Sequence, residues 1–141
     1  MVKYEDLKNI AETRLEEAKV LNKNGFYDGA AYLCGYVVET SLKAKICKTL
    51  KIDDYPDDGK DKVVFSSHDF DRLLILAGLQ KKINLNNKRN KILFQNWSLL
   101  TAWKPDKRYK LNEYKKTDVD DLLKALENRQ NGFFIWIKKI W

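Results

Sequence analysis

Histidine is almost missing from this chain: among 141 residues there is one, His68. Cysteine and proline occur twice each and glycine six times. One imidazole and two thiols cannot supply a zinc set, which takes about four N or S ligands at close spacing. Cys34 and Cys47 fall on one expected helix, which holds them about 20 Å apart and forbids a bridge between them. Both read as core filler in a reducing compartment. No run approaches the roughly 20 apolar residues of a membrane span. Met1-Val-Lys-Tyr-Glu-Asp also lacks the layout of a secretory signal. The expectation is a cytoplasmic protein with no membrane, metal or cofactor.

What is present is globular: 44% hydrophobic, 12% aromatic and 33% charged residues, the make-up of one domain over residues 1–141. The net charge of +7 is unevenly placed. Residues 80–116 hold eleven basic side chains against only Asp106 and Glu113, whereas residues 1–79 hold 12 basic and 14 acidic ones. A basic block of this kind points to a polyanionic partner, or else to a solvated lysine-rich surface. Asp53, Asp54, Asp57, Asp58 and Asp61 invite a calcium reading. They come partly as doublets with no closing Glu, which is not the ligand spacing of a calcium loop.

Helical periodicity dominates, and no strand alternation competes. A first helix is expected from about Tyr4 to Asn24, with Leu7, Ile10, Ala11, Leu15, Ala18 and Leu21 on one face. Asn24-Gly25 suits its C-terminus, and Asp28 suits the N-cap of a second helix. That helix carries two stripes: Cys34, Val38, Leu42, Ile46 and Leu50 on one side, Tyr32, Tyr36, Glu39 and Lys43 on another. A helix packed on most sides belongs at the centre of a bundle or of a dimer. A third helix follows Ser66-Ser67 and stops at Gly78. A fourth spans about Asn87 to Trp103, with Ile92, Leu93, Trp97, Leu100 and Trp103 inward. Thr117 opens the fifth, with Asp120 completing a capping box. It runs through a kink at Gly132 to Trp141. The fold class expected is an all-α, up-and-down antiparallel bundle of about five helices.

Gly35, Tyr36, Glu39, Leu42, Lys43 and Ala44 resemble the second helix of HEPN domains. Ser67-His68-Asp69-Phe70 with Leu73 resembles that family's His-Asp-Leu start of a third helix. Trp103, Pro105, Arg108 and Tyr109 resemble its aromatic-to-Arg-Tyr element, so the likeness covers roughly residues 5 to 140. The resemblance implies a helical bundle, ribonuclease chemistry in many members, and a toxin–antitoxin or defence setting, alone or beside a nucleotidyltransferase partner. The family's ribonucleases use an Arg followed after four to six residues by His. Here Arg89-Asn90 offers a start, but Phe94, Gln95 and Asn96 fill the positions where His would fall. None of these three shuttles a proton near neutral pH.

The resulting expectation is a non-catalytic binding and dimerising module. Lys81, Lys82, Arg89, Lys91, Trp103, Arg108 and Tyr109 are its candidate contacts to RNA, nucleotide or an acidic partner, since aromatics among cations suit single strands. Tyr32, Tyr36, Glu39, Lys43, Trp136 and Trp141 are its candidate residues for the interface and register of a homodimer. Two alternatives stand beside it: a divergent ribonuclease using His68 with Arg72 or Arg108, and a purely structural dimerising partner. Against a catalytic role, His68 at a helix start also suits a capping or packing contact.

Overall fold

The structure is a computed structural model that describes residues 1–84 and 88–141, without the side chains of 88–90 and 108. Helix α1 (Tyr4–Lys23) and helix α2 (Tyr27–Leu50) form the expected hairpin, joined at Gly25, whose φ of 83° is the left-handed turn that glycine favours. The Phe26 N–H donates to the Leu21 carbonyl and closes the link. Short helices α3 (Lys62–Phe65), α4 (Phe70–Leu76) and α5 (Gln80–Asn84) lead to α6 (Lys88–Thr101). A 3-10 turn over Pro105–Tyr109 precedes α7 (Lys116–Glu127) and α8 (Phe133–Lys138).

Helix α2 is the hub. Ala30, Ala31, Cys34, Gly35, Val37, Val38, Leu42, Ala44, Ile46 and Cys47 are all buried, and α1, α4, α7 and α8 each pack against it. Both sequence stripes are therefore covered largely within one chain, with Tyr32, Tyr36 and Lys43 half-buried and Leu50 exposed. The same holds at the C-terminal end. Phe133, Phe134 and Ile137 are buried, while Trp136 and Trp141 lie half-buried against Phe133 and Phe134. Burial pushes the Cys34 thiol up to about 12 and the Cys47 thiol up to about 11, so neither is a nucleophile near neutral pH.

Several expectations need correction. Val2–Lys3 (β1) pairs antiparallel with Asp54–Tyr55 (β2), Val2 opposite Tyr55, so a small ribbon tethers the N-terminus to the acidic loop. Two residues per strand are too few for alternation to show. The fifth helix is two helices: at the break, the Asn128 carboxamide oxygen accepts the N–H groups of Gln130 and Asn131. Gly132 passes so close to the Asn128 and Leu126 backbone that a Cβ would clash. The Lys115 N–H is taken by Asp118, not by a Thr117–Asp120 box, and Phe26 holds the N-cap position of α2 in place of Asp28. Ile92 points outward at 45% exposure, and Leu50 is likewise exposed.

One close approach governs the centre. Gly35 presents bare backbone to the Trp103 indole, which would overlap any Cβ there. Trp103 in turn stacks on Phe70 with centroids 5.3 Å apart and planes 5° from parallel. Gly35→Ala should destabilise the fold by about 1–3 kcal/mol through overpacking. Urea unfolding measures it, and an unchanged midpoint would mean that the indole is not seated on Gly35.

Candidate functional site

Trp103 stands two residues beyond the end of α6 and is buried to 7% exposure. It divides three surface depressions. The first, about 330 Å³, lies between the first turns of α2 and the segment that follows Trp103. Asp28, Gly29, Tyr32, Lys104, Lys107, Lys110, Leu111 and Tyr114 line it. The second opens over Leu99, Ala102 and Leu122 beside Glu113, Asp118 and Asp121. The third, about 310 Å³, is bordered by His68, Asp69, Thr101 and Lys104.

The first depression is cationic and aromatic for local reasons. Lys107 lies within the 3-10 turn and Lys104 and Lys110 flank it on extended backbone, and all three line the depression. The Lys107 ammonium lies 5.1 Å from the Tyr114 ring centre, and the Tyr32 and Trp103 rings meet at 5.9 Å. Asp28 brings a negative charge, but its two oxygens accept the backbone N–H groups of Asn112, Glu113 and Tyr114 at 2.6, 3.0 and 2.9 Å. That carboxylate serves as a clasp: it ties the lysine segment down across the start of α2, with Asn112 at φ 58° making the turn. Its oxygens are taken up by amides, and the first turn of the 24-residue α2 adds the positive end of a helix dipole.

The third depression carries the acid–base groups. Glu39, only 3% exposed, accepts from the Lys43 ammonium at 2.7 Å through one oxygen. Its other oxygen lies 2.9 Å from His68 Nδ1. The His68 side chain is 52% exposed, so the buried carboxylate fixes one ring nitrogen while the ring reaches solvent. Asp69 caps α4 by accepting the Arg72 N–H. The Lys43 ammonium also sits 5.3 Å from the Tyr55 ring centre, and the Tyr32 and Tyr36 hydroxyls meet at 3.1 Å. Among the described residues, no cluster of His, Cys, Asp and Glu could hold a metal ion.

The sequence candidates scatter. Glu39, Lys43 and His68 come together, as do Tyr32, Tyr36 and Trp103. Lys81, Lys82 and Lys91 are exposed on α5 and α6 and line none of the depressions around Trp103. Tyr109 is 79% exposed. Trp103 is no free stacking platform, because its ring is committed to Phe70 and Gly35. The side chains of Arg89 and Arg108 lie outside the described residues. Lys104, Lys107, Lys110 and Tyr114, which line the first depression, are not among the sequence candidates; the signal that points to them is the three-residue lysine spacing between Trp103 and Tyr114.

The class defined by these features is an all-helical bundle around one fully packed helix, with a carboxylate–histidine pair beside a lysine-lined cleft. The family model of the HEPN domain matches residues 4–129, and the chain belongs to that family. Searches of curated proteins and of solved structures return no match. No helix among the described residues is long and apolar enough to cross a membrane.

Removing Glu39 leaves Lys43, whose side chain is 14% exposed, without its anion. Glu39→Ala should therefore cost about 3 kcal/mol or more. His68→Ala should cost about 1 kcal/mol, because a half-exposed ring loses one hydrogen bond. Thermal unfolding of the two variants checks the order, and a His68 loss equal to that of Glu39 would contradict it.

Proposed function

We propose that this HEPN domain binds single-stranded RNA through its lysine-lined cleft, without cutting it in the family's Arg-to-His manner. The observation that carries the reading is the convergence of Lys104, Lys107 and Lys110 over aromatic walls, three cations against one carboxylate whose oxygens are held by three backbone amides. Lysines take the phosphates as point charges, and the half-buried rings of Tyr32 and Tyr114 in the wall suit contact with an unstacked base. A depression of about 330 Å³ is at the small end of ligand pockets, room for about one nucleotide of a longer strand. Lys104 also borders the depression of His68, so a strand leaving the cleft past Lys104 meets the imidazole.

The Glu39–His68 contact favours a second reading, in which His68 acts as general base on a 2′-hydroxyl. A buried carboxylate holding one ring nitrogen and a solvent-facing ring is how catalytic imidazoles are oriented. The binding reading is preferred because the chain has no second imidazole to share acid and base roles. A nucleotidyltransferase-type partner and a toxin–antitoxin or defence setting belong to the same proposal, through the family alone.

Binding of a labelled RNA oligonucleotide should weaken steeply as salt rises, because each neutralised phosphate releases counterions. Lys104→Glu, Lys107→Glu and Lys110→Glu together should abolish it, with RNA length unchanged after incubation. Reversal of Lys81, Lys82 and Lys91 should do less. The opposite order would move the site to α5 and α6. Cleavage by the wild type that is lost in His68→Ala at unchanged melting temperature would establish the second reading.

A further inference from the structure

We infer that the third depression receives the 3′ end of the RNA, holding the 2′ and 3′ hydroxyls of its terminal ribose. The inference rests on the RNA reading of the lysine-lined cleft and specifies which part of the strand passes beyond it. Trp103 and Lys104 line both depressions, so a strand crosses from one to the other at a single cation. The third is about 310 Å³, close to the size of the first, but its chemistry is different.

Nearly every polar side chain in it accepts. Glu39 is ion-paired with Lys43 at 2.7 Å, and a carboxylate has no proton to give. The His68 Nδ1 that faces it at 2.9 Å therefore donates, which leaves Nε2 of the neutral ring as an acceptor. The Thr101 hydroxyl donates to the Ser98 carbonyl at 2.8 Å, so it too presents lone pairs to the depression. Asp69 accepts the Arg72 N–H through one oxygen, and Asp71 has no hydrogen bond or ion pair among the described residues. Both carboxylates are exposed, and Lys104 is the one cation beside them.

A ligand for such a wall is rich in hydroxyl donors and carries no negative charge of its own. An internal nucleotide fails on charge, because its 3′ oxygen bears a phosphate that Asp69 and Asp71 repel. A 3′-terminal nucleotide meets both conditions. Its phosphate lies on the 5′ side, at Lys104, and its ribose ends in two neighbouring hydroxyls. The stacked rings of Phe70 and Trp103 supply apolar wall for the sugar, and the 2′-hydroxyl separates RNA from DNA at this point. Such a ribose has no 3′ phosphodiester to break, so the imidazole holds a hydroxyl without cleaving the strand.

Binding of the full chain to a 5′-labelled RNA oligonucleotide tests the inference, against the same strand ending in a 3′-phosphate or in a 2′-deoxynucleotide. Each change should weaken binding by about tenfold, the effect of losing one hydrogen bond to a charged acceptor. Asp71→Lys should invert the order, so that the 3′-phosphorylated strand binds more tightly than the hydroxyl-ended one, with circular dichroism unchanged. Equal affinity for all three strands, still abolished by reversal of Lys104, Lys107 and Lys110, overturns this inference and leaves the cleft reading in place. Equal affinity that survives the lysine reversal, or no binding to any strand, overturns both. A loss on 3′-phosphorylation that Asp71→Lys leaves unchanged puts the strand end elsewhere and overturns the inference alone.

Discussion

The seat of Trp103 on Gly35 is the contact on which the arrangement around the cleft depends. Helix α2 can be covered on nearly every side only if one position has no side chain where the indole lies flat. Once seated, Trp103 stacks on Phe70 at the start of α4 and fixes where the chain turns from the end of α6 toward the lysine segment. Three depressions meet at this one ring. Chain elements far apart in sequence acquire a common edge through it.

Around that seat, two carboxylates are committed internally. Glu39 is shared between Lys43 and His68, and Asp28 between three backbone amides. Burying an uncompensated carboxylate would be costly, and each partner set removes that cost. A functional consequence follows at the Asp28 end, where the lysines face a carboxylate whose hydrogen-bonding capacity is already taken up. In the proposed RNA complex the three lysines outnumber this one carboxylate, which keeps its charge.

The fold was open to reading from residue spacing because a long apolar period repeats many times. The Leu7–Ala11–Leu15–Ala18 stripe of α1 and the four-residue recurrence from Cys34 to Ile46 are buried as expected. Features set by one or two residues were not. The Val2–Tyr55 ribbon pairs segments fifty residues apart, and no local period announces that. The break at Asn128 rests on a side chain accepting two amides, which periodicity in Leu126 and Phe133 conceals. Composition marks the basic block, yet only the fold separates Lys104, Lys107 and Lys110, which line one depression, from Lys81 and Lys82, which stand apart on a short helix. His68 was singled out from a motif, but its partner Glu39, 29 positions upstream, is a tertiary fact.

A residue-resolved map of RNA contacts on the domain tests whether the lysine-lined cleft is the binding site. Backbone amide spectra recorded during titration with a short single-stranded oligonucleotide supply it. Shifts are expected to concentrate at residues 28–32 and 103–114 and to vanish at high salt. Shifts confined to α5 and α6, or none at all under low salt, would contradict it.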